Sequence, residues 1–460
     1  MEGFYLPFWR MVRLHHEAAR GDMRGLKKSL KRAVDCAFLR ANWLTRGRAL
    51  AYCRIFGFYG WGILLVILVR SHGGKNFEGQ PICADFVSFW AASWQLLHGH
   101  MAEIYDGAKH HLAELALFPG LSFGNFAFYY PPTFLLFCAP LALVPYRLSV
   151  ALFLIGTTTF FVRAFRRILP QKWALMPVLA FPGLVICVIN GQNGLLTGGL
   201  FGWAMVLLAF HPFLAGVCLG CLVIKPQLLL ATPVILLCSR RWWAIAGGVF
   251  GSGVLILASW MAFGAGSWEG FLHMSQEARG VFERGYVQAW KLQSVFAAVT
   301  LLHGPQWLAY GVQILAMGAA LSLAGWLAAR LCSDTSGWDA QTRATGQMAL
   351  LIAVMPFCSP FLLDYDLACL AFPMGWIVAQ AVRNGWWSGE KIVLFLAYIY
   401  LLGARLFSQF THIGLTPLVA GALLFVLARR IAPDVWLRLR TGMIREDGAL
   451  ALPESGGVQA

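Results

Sequence analysis

Apolar runs long enough to cross a bilayer follow one another along most of this chain, separated by short polar or basic breaks. The first occupies about 52–69. It follows a segment, 1–49, in which Leu26, Leu30, Val34, Phe38 and Leu39 recur at helical spacing among basic residues such as Arg24, Lys27, Lys28 and Lys31. That pattern predicts an amphipathic helix on the cytoplasmic surface and then a retained start-transfer span. From 71 to 146 the chain is less apolar and carries Glu78, Asp85, Glu103, Asp106 and Glu114, as an external loop should. Within it the apolar piece at 130–145, short and bounded by prolines, predicts a juxtamembrane or re-entrant helix.

The next run, 148–162, ends in Arg163, Arg166, Arg167 and Lys172, which returns the chain to the cytoplasm. Alternating charge then places spans at 173–189 and 195–210, two short ones within 213–238 that meet at Lys225-Pro226, and one at 244–263. An external loop reaches to 304 with an interfacial helix at 294–302, and further spans follow at 307–331, 348–357, 367–382, 392–402 and 415–427. The expected fold is an all-α polytopic membrane protein of about twelve transmembrane helices with juxtamembrane helices in a long first external loop. Its membrane domain is 50–430, with a cytoplasmic tail at 431–460 that is partly disordered and a cytoplasmic N-terminus.

Composition agrees: 59% of the residues are hydrophobic and 12% charged, more apolar surface than a water-soluble core can hide. A net charge of +15 in a soluble protein would point to nucleic acid. Here the basic residues flank spans, so their partner is the anionic inner leaflet and no nucleic acid is expected. The eleven cysteines lie mostly in apolar runs without ligand spacing, and neither a zinc site nor a disulfide framework is predicted.

On this topology the unusual polar groups share the external face: Asp85, Tyr130, the turn from Asn190 to Asn193, Lys225, Lys291, Asp364, Asp366 and His412. Ionisable groups at a membrane are costly and come with partners, so this gathering points to a site that handles charge and protons. Each residue has two readings. Asp85 opens a helically spaced series, Phe86, Phe89, Trp90 and Trp94, as a helix cap or as a general base. Lys225 offers its ammonium to a phosphate or snorkels to water. Asp364 and Asp366 mark a solvated loop or bind sugar or metal, although two aspartates are not a ligand set and no cofactor is indicated. Gln192 is a turn former or a ligand, and His412 is a lone loop histidine with many innocent explanations.

The run Asp85-Phe86-Val87-Ser88-Phe89-Trp90, then Leu97-His98-Gly99 and Ile104-Tyr105-Asp106, resembles the first external loop of glycosyltransferase family 87, within the GT-C membrane superfamily. Tyr130-Pro131-Pro132, Pro140 to Pro145, Gly191-Gln192, Ala215-Gly216, Ile224-Lys225-Pro226-Gln227 and Ser359-Pro360 follow in the same order as that family's landmarks. The likeness covers about 80–380 and rests on the ordered set. It implies a GT-C-like bundle and a polyprenyl-phosphate-linked sugar donor, often mannose. Transfer would be inverting, to a lipid or glycan hydroxyl on the periplasmic side of the inner membrane, by a monomer. Carried onto this chain, it makes Asp85 the catalytic base. Lys225 and Lys291 are then expected to hold the donor phosphate, with Tyr130, Gln192, Gln227, Asp364, Asp366 and His412 around the substrate. Where some relatives have histidine after Ser-Pro, this chain has Asp364-Tyr365-Asp366, which leaves the acceptor and the catalytic partner open. A secondary transporter or lipid flippase, or a non-catalytic lipid-binding subunit, are the competing readings; a transporter would place ionisable groups near the midplane of two matching halves.

Overall fold

The computed structural model describes residues 40–71, 75, 79–120, 123–283, 288–333 and 337–436. Most of the expected amphipathic N-terminal segment, and the tail beyond 436, lie outside the described residues. The regular elements are helices, beginning with α1 (Arg46–Val69), whose N-cap Thr45 accepts a hydrogen bond from the Arg48 amide. The first loop then forms α2 (Ala84–Leu97), α3 (Gly107–Ala116) and the short α4 (Pro132–Cys138), before α5 (Tyr146–Ile168) crosses back. A bent pair, α6 (Leu175–Leu179) and α7 (Pro182–Asn190), replaces the single straight span expected at 173–189; Pro182 and the break at Ala180–Phe181 turn it by 50°. Next come α8 (Gly194–Leu207), α9 (Pro212–Gly220) and α10 (Thr232–Cys238), the last two joined by 3-10 turns on either side of Lys225.

The long α11 (Trp242–Glu283) does not stop at 263 as expected. Gly264 interrupts it with φ +73, and the helix resumes for another nineteen residues over the first loop, with Gly270 against Tyr105. The short α12 (Val295–Leu301) and then α13 (Gln306–Arg330), α14 (Ala340–Cys358), α15 (Ala371–Asn384), α16 (Glu390–Thr411) and α17 (Thr416–Ile431) complete the described helices. By length and apolarity six of the described helices can span a membrane, or seven if the bent pair counts as one. The remaining expected spans fall on shorter or more polar helices packed inside. The protein is thus an all-helical membrane protein among its described residues, with fewer full-length spans than twelve.

Two helix lengths shape the bundle. The outer α1, α5 and α13 have 24, 23 and 25 residues, about 35 Å each, enough to cross the hydrocarbon. The inner α8 has 14 residues, about 21 Å, and α9 and α10 are shorter still. The connections α7–α8, α9–α10 and α14–α15 carry Gln192, Lys225 and Asp366. Beside them α2 is anchored by rings, Phe89 lying 5.0 Å from Phe134 and 5.4 Å from Tyr130. A buried polar knot holds α3 to α2: His110 Nδ1 meets Gln95 Oε1 at 2.7 Å, Ser88 Oγ lies 3.2 Å from Nε2, and His111 Nδ1 is 3.0 Å from Glu114 Oε2. Burial drives His110 down to about 3 and Glu114 up, so His110 stays neutral there.

The closest helix pairing joins α9 to α11. A Cβ on Gly216 would meet the Ala244 carbonyl, one on Gly220 the Gly248 carbonyl, and one on Gly247 the Phe213 carbonyl, so the backbones touch through small residues. Gly253, on the same α11, has nothing nearby. Gly216→Val is therefore expected to lower the unfolding midpoint in detergent by an overpacking cost of about 1–3 kcal/mol. Gly253→Val should leave it unchanged.

Candidate active site

Asp85 is the second residue of α2, and its carboxylate does not serve as that helix's cap. The N-cap is Cys83, in the left-handed region, with no side-chain cap bond. Instead Gln192 Nε2 donates to Asp85 Oδ2 at 2.9 Å from the α7–α8 turn. Gly191 makes this possible: it closes α7 with φ +74, and any Cβ there would strike Cys83 and Phe86. The other end of the Gln192 amide, Oε1, accepts from the Tyr130 hydroxyl at 3.3 Å and from the Asn193 amide at 3.2 Å. Gln192 is thus held in one orientation, with its donor side on the carboxylate.

Behind this relay lies a buried ion pair. Lys225 Nζ sits 2.5 Å from Asp366 Oδ1, and the two side chains are 5% and 0% exposed. Lys225 can reach because Pro226 breaks the apolar run and the chain passes through 3-10 turns on either side. Its ammonium also lies 4.6 Å from the Tyr365 ring and 5.9 Å from that of Tyr130. Asp364 and Asp366, read from sequence as marking a solvated loop or binding sugar or metal ahead of a span at 367–382, lie in a buried 3-10 turn, Asp364–Leu370, that starts the α15 span. Asp366 Oδ2 accepts from the Leu363 amide at 3.2 Å, and Asp364 Oδ1 from the Tyr365 amide at 3.0 Å. Both carboxylates are consumed locally as buried acceptors, which explains why two adjacent acids tolerate this apolar setting.

The open side of the cluster is cationic. Arg405, on α16, lies 3.9 Å from Asp364 Oδ2, and its guanidinium rests 5.1 Å from the Trp290 ring. Lys291 is 5.4 Å from the same ring. The expected span at 392–402 ended before Arg405; the helix continues to Thr411 and carries this residue into the site. Nothing local marks Arg405 in the sequence, since its significance comes from residues some forty to three hundred positions away. Burial pushes the Asp85 carboxyl above the ordinary carboxylate range. The Gln192 hydrogen bond opposes that rise, the Asp364 charge adds to it, and Arg405 and Lys291 draw it back. Burial, and then the repulsion of Arg405, lower Lys291 against the pull of Asp85 and Asp364.

Asp85, Tyr130, Gln192, Lys225, Lys291, Asp364 and Asp366 therefore meet in one cluster. Two expected members do not join it. Gln227 is half-buried on the turn after Pro226 and shares none of these bonds. His412 is exposed at the C-cap of α16, in the left-handed region, with its ring 6.3 Å from that of His303.

The model of glycosyltransferase family 87 matches residues 128–360, just over half of the 460. The chain belongs to glycosyltransferase family 87. No curated protein and no solved structure matches it. The matched stretch of this family 87 membrane glycosyltransferase carries Tyr130, Gln192, Lys225, Gln227 and Lys291. Asp85 precedes it, and Asp364, Asp366 and Arg405 follow it, so the fold adds these to the site rather than the family match.

Removing one charge of a buried pair strands the other, at a cost of about 3–5 kcal/mol, whereas replacing both with apolar groups costs less or nothing. Asp366→Asn should lower the unfolding midpoint of the purified glycosyltransferase sharply. The double variant Lys225→Met/Asp366→Leu should recover most of that loss, and a double variant no better than the single would show that the pair is not the stabilising contact.

Proposed function

We propose that this enzyme moves a hexose or pentose, mannose or a close relative, from a polyprenyl-phosphate donor to a hydroxyl of a lipid or glycan acceptor. Transfer takes place on the periplasmic side of the inner membrane, with inversion and with Asp85 as the general base. The observation that carries this reading is one half-buried carboxylate, held by Gln192, within the electrostatic reach of the two cations Arg405 and Lys291. A carboxylate and a cation pair so placed match the two charge changes of glycosyl transfer from a phosphate. The acceptor O–H gives its proton to Asp85. The acceptor oxygen attacks the anomeric carbon from the face opposite the phosphate, and the bond from that carbon to the phosphate oxygen breaks. The electron pair leaves with polyprenyl phosphate, whose added negative charge falls beside Lys291 and Arg405.

In this scheme Lys225 has a different role from the phosphate contact expected of it. Its charge is already matched by Asp366, so it holds Tyr130 and Tyr365 in place under the sugar, while the phosphate meets the cations whose partners are less complete. A non-catalytic lipid-binding subunit with the same fold would tolerate loss of Asp85, and this separates the two readings.

Transfer from a radiolabelled polyprenyl-phosphate sugar by purified Asp85→Asn should fall about a hundredfold to ten-thousandfold, the usual contribution of a general base. Full transfer by that variant would remove Asp85 from the mechanism. The pH dependence carries a sign. Asp85 works deprotonated, and its carboxyl is raised, so kcat/KM should rise with pH along a limb above the ordinary aspartate value of about 3.9. Arg405 and Lys291 hold that limb down, so Arg405→Gln or Lys291→Gln should shift it to higher pH as well as slow transfer. A shift to lower pH, or none, would contradict the assignment.

A further inference from the structure

A cavity of about 260 Å³ opens between α1, the bent pair α6–α7, α15 and α16. On α1 and α16 it lies at the end away from the polar cluster. On α1 it takes the first turns, Arg46 to Phe56, while the chain reaches Asp85 only after Val69. On α16 it takes Lys391 to Tyr398, and Arg405 lies beyond it, past the break at Gly403. On α15 it takes Ala371 to Val382, after the Asp364–Leu370 turn, and on α7 it stops at Phe181, before Gln192. The crevice is therefore separate from the transfer site.

Its walls are hydrocarbon and aromatic, with Phe56, Phe165, Met374, Leu394 and Phe395 among them. Charge appears only at Arg46 and Lys391. Arg46 is exposed and Lys391 half-buried, its ammonium 5.7 Å from the Trp386 ring, and among the described residues neither meets a carboxylate. An apolar slot with two unmatched cations at its mouth is complementary to one kind of molecule in its surroundings, an amphiphile with an acyl chain and an anionic head. The wall is formed in part by α1, the span least covered by protein, with 11% of its apolar window buried, so the slot lies where lipid has access.

We propose that the crevice binds one anionic glycerophospholipid from the leaflet opposite the transfer site, an acyl chain between α1 and α15–α16 and its phosphate against Arg46 and Lys391. The site is independent of the transfer reaction, and its occupancy is measured without activity. Native mass spectrometry of the full chain, titrated with phosphatidylglycerol or with phosphatidylcholine of the same acyl chains, tests it. The wild type should retain one phosphatidylglycerol in preference to phosphatidylcholine, and each of Arg46→Gln and Lys391→Gln should weaken that retention about fivefold. Val382→Trp, at the half-exposed mouth of the crevice, should abolish it while the unfolding midpoint stays within the range of the charge variants. Val378→Trp, deeper in the crevice, should abolish it too. Equal retention of the two lipids, unchanged retention in the charge variants, persistence in both tryptophan variants, or no bound lipid at all would each overturn the proposal. The last outcome would mean that the chain's own residues fill the crevice.

Discussion

The pairing of Lys225 with Asp366 is the constraint around which the rest of the polar site is arranged. A lone ammonium or carboxylate at this depth would be too costly to keep charged, and each makes the other tolerable. To meet, they need two interruptions in otherwise apolar runs: Pro226 breaks one, and the 3-10 turn from Asp364 to Leu370 opens the other. Those interruptions leave the inner helices short. The Tyr130 and Tyr365 rings close around the ammonium, and the Tyr130 hydroxyl fixes the Gln192 amide that holds Asp85. The arrangement of the Asp85 carboxylate thus traces back to an electrostatic requirement met about two side chains away.

Membership in glycosyltransferase family 87 agrees with an apolar bundle, but it does not by itself place Asp85 or the cations. The matched stretch stops short of Asp85 on one side and of Asp366 and Arg405 on the other. Three-dimensional packing unites them. Helix α2 is pinned to the bundle by Trp90, which donates to the Val144 carbonyl at 3.1 Å, and by Ser93, which donates to the Ala139 carbonyl at 2.8 Å. The loop that carries Asp85 is therefore a built part of the protein core, with His110 and Glu114 buried inside it, rather than a flexible surface connection.

Much of this was legible in the chain itself. Apolar runs and Pro or Gly breaks located α1, α5, α8, α12 and α13 closely, and the interruption at Lys225 was plain from Pro226. The gathering of Asp85, Gln192, Lys225 and Asp366 at one end followed from charge signs alone. What escaped was each case in which a polar residue is buried by a distant partner. Gln341, Thr345 and Gln347 fall outside the expected span at 348–357, yet they lie within α14, where Gln347 Oε1 accepts from Arg241 at 2.9 Å and Thr345 from Trp376 at 3.1 Å. The stretch after 263, expected as external loop, is the second part of α11. Arg405 was missed for the same reason: a single arginine in an apolar run carries no local sign of the aspartate and tryptophan it will face.

The backbone contact between the Asp366 segment and its neighbours limits how this protein can vary. Gly194 on α8 faces the Tyr365 carbonyl, and Gly183 on α7 faces the Ala368 backbone. A side chain that grows against another side chain can be accommodated when its neighbour shrinks. Against a main-chain atom there is no smaller alternative to mutate to, so at these two positions compensation by a partner is ruled out by covalent structure, and drift in sequence must be taken up elsewhere in the bundle.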